Sequence, residues 1–399
     1  DPHGQQRHLV PAGERAGGVP EFGPERPEPV AELADAAGAQ GRVAALGDHM
    51  AALPVVAVTN PTLPEYHPTA AWMRHNNKTP VSALTRDIEM KLLQSFAPAA
   101  LLLCTCATAQ SPLPDIRIND TDVFPESITA TASGAVISGS TKGVVYRAEP
   151  GAAQAQPWIR HNDANGILSI LGVLADDKSN TLWLCSAPNF FGPERSQGVT
   201  AVKTFELDTG KFKSSYDFPA PAGTCNDITI AADGTAYASD TGNGRLFMLK
   251  PGATALALAG SDPGLVGIDG LAFSSDGTLY VNNVRSQQLF RVALNTDGTM
   301  GGITELKVSH TLGGPDGMRL ISGNRFIQAE STIGRLSIVE INGDTATMTI
   351  LRDDLESAPG ATVVGNTVYV AKTQIKYLLD PALKGQQAPS AILYAVPLP

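Results

Sequence analysis

The stretch Ile228–Asp240, ITIAADGTAYASD, has a near copy at Leu271–Asn283, LAFSSDGTLYVNN. Each contains an alternating apolar run, an Asp-Gly pair, Thr-x-Tyr and a second run. Asp-Gly between alternating runs is a strong hairpin signal. Gly234 and Gly277 lie 43 residues apart. Weaker copies read SITATASGAVISGS, GVLADDKSNTLWLCSA, GMRLISGNRFIQAE and ATVVGNTVYVAKT, and a third strand follows in GVVYRAEPG, GRLFMLKPG, QQLFRVAL and GRLSIVEI. Repeats of about 40–50 residues indicate a propeller or a solenoid. Units rich in strands with almost no helical pattern favour the propeller, whose ring protects sheet edges. The predicted fold is all-β: a six-bladed β-propeller over residues 110–399, closed by Leu113–Asp120 joining AILYAVPL of the last blade.

The N-terminal region is of another kind. Residues 1–89 are rich in Pro, Ala, Gly and Glu and hold no sustained hydrophobic period, which predicts a mostly disordered extension. At Met90 begins MKLLQSFAPAALLLCTCATAQ, with one positive charge at Lys91, an apolar stretch from Phe96 to Leu103, and Ala107-Thr108-Ala109 before Gln110. That is the pattern of a signal peptide over 90–109, too short to anchor the chain in a bilayer. Translation is therefore expected to start at Met90, with residues 1–89 a spurious upstream extension, and the product to be periplasmic or secreted. A buried helix is the alternative for the same segment. Net charge is −10 and no basic cluster is present, so nucleic acid is excluded as a partner. The expectation is a monomer acting on a small molecule, without a stable membrane anchor.

In a propeller blade the first strand is innermost, and the residue just before it faces the mouth of the central channel. In the six units these positions are Glu126, Leu171, Asn226, Asp269, Asp316 and Pro359. Four are oxygen donors and three of those are acids. Three partly desolvated carboxylates around one axis repel one another unless something neutralises them. A divalent cation would do so. All-oxygen ligands suit calcium or magnesium better than zinc. Asn226 would then supply a neutral carbonyl ligand, and Asp227 would turn outward or cap neighbouring backbone. Asp and Asn before a strand are otherwise common turn residues. Asp233 and Asp276, in the hairpin loops of the opposite face, are read as exactly that kind of residue.

The chain resembles the calcium-dependent six-bladed propellers grouped as senescence marker protein, gluconolactonase and luciferin-regenerating enzyme. The similarity runs over most of Phe124 to Ala371 and rests on FPESI, TCNDITIAADGTAY, GIDGLAFSSDGTLY and GPDGMRLI, in order and at blade spacing. The resemblance implies that Glu126, Asn226, Asp269 and Asp316 are metal ligands and that Asp316 is also the catalytic base. It implies calcium as the cofactor, with magnesium, manganese or zinc as alternatives. Two departures stand out. The third ligand is usually Asn where this chain has Asp269, and the Arg that sugar-lactonase members place two residues before the Asn-Asp pair is here Thr224. An aldonolactone substrate is therefore less expected than another lactone or ester.

A hydrolase follows from such a site. The cation would polarise a carbonyl and stabilise the oxyanion, and Asp316 would take a proton from water. With a metal beside it, Asp316 is expected to be a base of ordinary strength. The region from Gln110 holds two histidines, His161 and His310, without partners at metal-ligand spacing, and no GxSxG element. Both read as surface loop residues. Ser186–Gly198 is the longest loop on the metal face, and Asn189, Phe190 and Phe191 could form a substrate-binding lid or pack on a neighbour. Glu330, near the same mouth, reads as the salt-bridge partner of Arg335. Cys185 and Cys225 fall at the same rim, where they either form a disulfide tying adjacent blades or stay buried thiols. The alternatives are a non-catalytic binding propeller with a structural ion, and a strictosidine-synthase-like or lyase propeller.

Overall fold

The computed structural model describes residues 113–188 and 198–399. The expected extension 1–89, the expected signal peptide 90–109, and Asn189, Phe190 and Phe191 lie outside the described residues. Among the described residues no helix is long and apolar enough to cross a membrane. Among the described residues the longest helix is the single turn Lys376–Leu379.

The strands of the described residues form five hydrogen-bonded sheets. Four are simple meanders. They begin at Ser169–Asp176, Cys225–Ile230, Ile268–Phe273 and Pro315–Ser322, and the last also carries the short strand Lys307–Val308 at its outer edge. The remaining sheet has eight strands and is two four-stranded groups joined at their outer edges. The joint is Ile116–Ile118, which runs antiparallel to Ala391–Pro397 and parallel to Gln154–Arg160. The strand expected to close the ring from the N-terminal side therefore does pair with the last strand, with Ile116 opposite Leu393.

The innermost strands of the groups are, in order, Pro125–Ala130, Ser169–Asp176, Cys225–Ile230, Ile268–Phe273, Pro315–Ser322 and Ala361–Val364. Each packs on the next, and the sixth packs on the first. This is the arrangement of a β-propeller. The apolar core is divided among the interfaces between neighbouring groups. Ile137 and Val145 meet Ile170 and Leu184 at one, and Tyr280 meets Phe326 edge-on at 5.5 Å at another. Second strands are covered on both faces, so every residue of Ala236–Asp240 and Leu279–Asn283 is buried. Outer strands alternate, as in Phe212–Asp217. Each buried Leu, Ile or Phe contributes about 1.5–3 kcal/mol, so stability is spread around the ring.

The hairpin turns behave as their sequence requires. Asp233 accepts from the Thr235 amide at 2.9 Å, and Asp276 from the Thr278 amide at 3.0 Å. Gly234 and Gly277, with φ of 88° and 85°, occupy the left-handed region that the turn demands.

Candidate functional site

The sixth inner strand begins one residue later than the sequence suggests, and the other five begin at least two residues earlier. The axial residues lie inside them, at β-bulges. Pairing with the second strand skips at Glu126-Ser127, Leu171-Gly172, Asn226-Asp227, Asp269-Gly270 and Asp316-Gly317. A bulge places two residues opposite one, bends the strand and re-aims a side chain. Repeated in five strands, it sets the first residue of each pair at an equivalent place in its strand. Pro359-Gly360 precedes the sixth inner strand, which pairs without a skip.

The second residue of each pair reads Ser127, Gly172, Asp227, Gly270, Gly317 and Gly360. Glycine predominates because the inner strands nearly touch here. A Cβ on Gly270 would land on the carbonyl oxygen of Asp316, and one on Gly317 would lie 2.8 Å from that of Pro359. The bulges also leave backbone groups to be satisfied from elsewhere. Ser239 accepts from the Asp227 amide at 2.9 Å and donates to the Asp269 carbonyl at 2.8 Å. Asn282 accepts from the Gly270 amide at 2.9 Å and donates to the Asp316 carbonyl at 2.6 Å. Two fully buried polar side chains thus fix the three aspartate-bearing bulges.

Asp269 and Asp316 are 4% and 8% exposed, whereas Glu126 and Asn226 keep partial contact with solvent. Asn226 Nδ2 donates to Asp269 Oδ2 at 2.7 Å. Burial pushes the Asp316 carboxyl up to about 7, against hydrogen bonds with Ser331 and Asp269 that favour its charged form. Asp269 is raised well above the usual range by burial, then by the charges of Asp316 and Glu126. Glu126 is raised by burial, then by Asp316 and Asp227, with Arg319 opposing. The three carboxylates therefore face one another as a mutually repelling set that holds protons when nothing else neutralises it. The ordinary base strength expected for Asp316 belongs to a cation-bound site.

The donor set fits a hard divalent ion in its chemistry: three carboxylates, one amide, and Asp269 Oδ1 buried without a hydrogen-bond partner. Among the described residues, however, no three His, Cys, Asp or Glu side chains already stand as a metal-ligating group. Asn226 presents its nitrogen to Asp269, so the neutral carbonyl ligand expected of Asn226 requires the amide to turn over.

Sequence reasoning missed the layer beneath. Asp227 does cap neighbouring backbone, accepting from the Leu271 amide at 3.4 Å, but it does not turn outward. It is 3% exposed and pairs with Arg319, Nη1 to Oδ2 at 2.6 Å and Nη2 to Oδ1 at 2.9 Å. Arg319 also donates to the Val173 carbonyl at 3.0 Å and to Ser127 Oγ at 3.4 Å. One side chain from the fifth inner strand thus reaches the first, second and third. On the hairpin side of Arg319 lies a separate cavity of about 380 Å³ walled by Leu174, Ile230, Leu271, Phe273 and Leu320. None of the axial oxygen donors lines it.

The fold is shared with known proteins. Solved structures similar to this chain include a gluconolactonase from Xanthomonas campestris, 16% identical, with a TM-score of 0.51 over 70% of this chain and 88% of that one. They also include a luciferin-regenerating enzyme, 11% identical, with a TM-score of 0.53 over 69% and 92%. No family model matches the sequence, and no curated protein matches it either. At these identities the likeness concerns the fold.

The remaining expected residues fall as follows. Cys185 and Cys225 are joined as a disulfide with Cα atoms 5.1 Å apart, linking the second and third groups next to Asn226. Glu330 lies 3.8 Å from Arg335 and accepts from the Gly313 amide at 2.6 Å, so it anchors a loop as well as forming the expected pair. His161 and His310 are exposed.

Proposed function

We propose that this chain is a divalent-metal-dependent hydrolase of a lactone or related ester, with calcium as the ion. The groups of strands are read as six blades, and Glu126, Asn226, Asp269 and Asp316 as the residues that hold the ion. What supports the reading is the place of these four residues at equivalent bulges of four inner strands, with Asp269 Oδ1 buried and unpartnered. The similar gluconolactonase supports the substrate class.

The bound cation would polarise the substrate carbonyl and favour the developing oxyanion. Asp316 would be the general base, taking a proton from the attacking water at a carboxylate oxygen. Its carbonyl is held by Asn282, so its side chain starts from a fixed backbone position. Asp269 would stay anionic and share charge with Asp316, while Glu126 and Asn226, nearer solvent, would meet the incoming substrate side of the site. The Cys185–Cys225 disulfide agrees with an exported protein, periplasmic or secreted, as the Met90–Gln110 pattern suggests.

The test is a panel of lactones and aryl esters assayed with calcium and with excess chelator. Calcium-dependent turnover, lost in Asp316→Asn and Glu126→Gln, is the expected result. Binding of calcium without turnover of any member would leave the non-catalytic propeller with a structural ion as the better reading. Turnover at full rate in excess chelator would exclude the metal.

A further inference from the structure

Arg319 is a permanent cation placed one layer beneath three acids, Glu126, Asp269 and Asp316, and paired with a fourth, Asp227. Its guanidinium is 12% exposed and Asp227 is 5% exposed at the side chain, so the pair is shielded from bulk solvent. Every partner of Arg319 immediately follows an axial residue or lies close to one. Ser127 follows Glu126, Asp227 follows Asn226, and Val173 is two residues beyond Leu171. Asp227 in turn accepts from the Leu271 amide of the fourth inner strand. The Arg319–Asp227 unit therefore reaches five of the six inner strands and crosses the channel between the axial oxygens and the cavity on the hairpin side.

A buried ion pair is expensive to form and is often no more stabilising than an apolar pair of similar volume. Packing alone would be met by glycine at position 227, as at Gly172, Gly270, Gly317 and Gly360. The pair contributes something glycine cannot: it fixes the local charge. Without Arg319 the axis would carry Glu126, Asp227, Asp269 and Asp316 as four acids with no built-in counter-charge.

We propose that Arg319 and Asp227 are a positioning and charge-setting pair that forms the floor of the axial site and tunes its affinity for a divalent cation. This rests on the metal reading given above and deepens it. Arg319 repels a cation, and Asp227 offsets that repulsion. Removing either one alone shifts the charge beneath the site by one unit, in opposite directions. Removing both restores it.

The experiment is calcium titration of the full chain by calorimetry for wild type, Arg319→Met, Asp227→Asn and the double variant. Arg319→Met should bind calcium at least about tenfold more tightly, and Asp227→Asn at least about tenfold more weakly, because a unit charge a few ångströms away in a partly dry site changes affinity on this scale. The double variant should return to within about threefold of wild type. A merely structural floor would weaken calcium binding in all three, most of all in the double variant, and that result overturns the proposal. Should Arg319→Met fail to fold, the contrast between Asp227→Asn and the charge-restored double variant decides alone: recovery supports the pair, and further loss contradicts it. Wild type that binds no divalent cation overturns the metal reading and this inference together. Wild-type binding with variants that move in the same direction overturns only this inference.

Discussion

Asn282 donates to the backbone carbonyl of Asp316 at 2.6 Å from an adjacent group of strands, and the same side chain accepts from the Gly270 amide. The side-chain amide of one second strand therefore sets where two inner strands carry their carboxylates. Asn282→Ala removes both bonds and leaves buried backbone groups unsatisfied. The expected cost is about 2–3 kcal/mol in chemical denaturation, together with weaker calcium binding. A variant that loses stability while keeping wild-type calcium affinity would show that Asp316 is positioned by something else.

Gly270 tests the close approach at the axis. A Cβ there meets the carbonyl oxygen of Asp316, which is backbone and cannot swing away. Gly270→Ala should lower stability by about 2 kcal/mol or more. Gly252→Ala is the converse case, left-handed backbone strain without a clash, since Gly252 has φ of 79° and open space around its Cβ position. It should cost distinctly less.

The raised carboxyls predict the sign of the pH dependence. Asp316 titrates near 7 in the fold without a cation, against an ordinary value near 3.8. A group raised in this way contributes stability that is fully present below its unfolded pKa and is lost as pH rises through the folded one. In chelator, the melting temperature should therefore fall between about pH 4 and pH 7, with Glu126 and Asp269 acting in the same direction. Calcium should abolish most of that fall, bind more tightly at pH 8 than at pH 6, and release protons on binding. Melting curves and calorimetry in buffers of different ionisation enthalpy measure both effects. A melting temperature that rises over this interval in chelator would contradict the clustering of the acids.

The disulfide closes a loop between residues 40 apart, Cys185 and Cys225. Replacing both with Ser should cost about 4 kcal/mol by loss of the constraint on the unfolded chain. Because Cys225 precedes Asn226, the same variant should also weaken calcium binding. Thiol titration of denatured, unreduced protein should find neither of these two cysteines free.

The repeat made most of the fold legible. The two Asp-Gly copies fixed the hairpins, and apolar runs such as AYASD and LYVNN marked strands buried on both faces. The strand Ile116–Ile118 could be read because little else at that end of the region alternates. The axial residues could be read as positions in the repeat, but not as bulges. A bulge changes pairing by one residue without changing composition, so the strands were expected to start later than they do. Arg319 and Asp227 were harder still. Their partnership joins positions 92 residues apart, and in sequence each looks like an ordinary strand residue. The one available signal was that position 227 carries an acid where four of the other five groups carry glycine. Ser239 and Asn282 had a similar trace, as polar residues at matching places in two fully buried second strands.

The most direct measurement is a crystal structure of the full chain grown or soaked in calcium, with the ion located by anomalous scattering. The expected result is one ion on the axis, touching oxygens of Glu126, Asn226, Asp269 and Asp316, with the Asn226 amide turned so that its oxygen faces inward. An axis without an ion at millimolar calcium, or an ion bound away from these four residues, would contradict it.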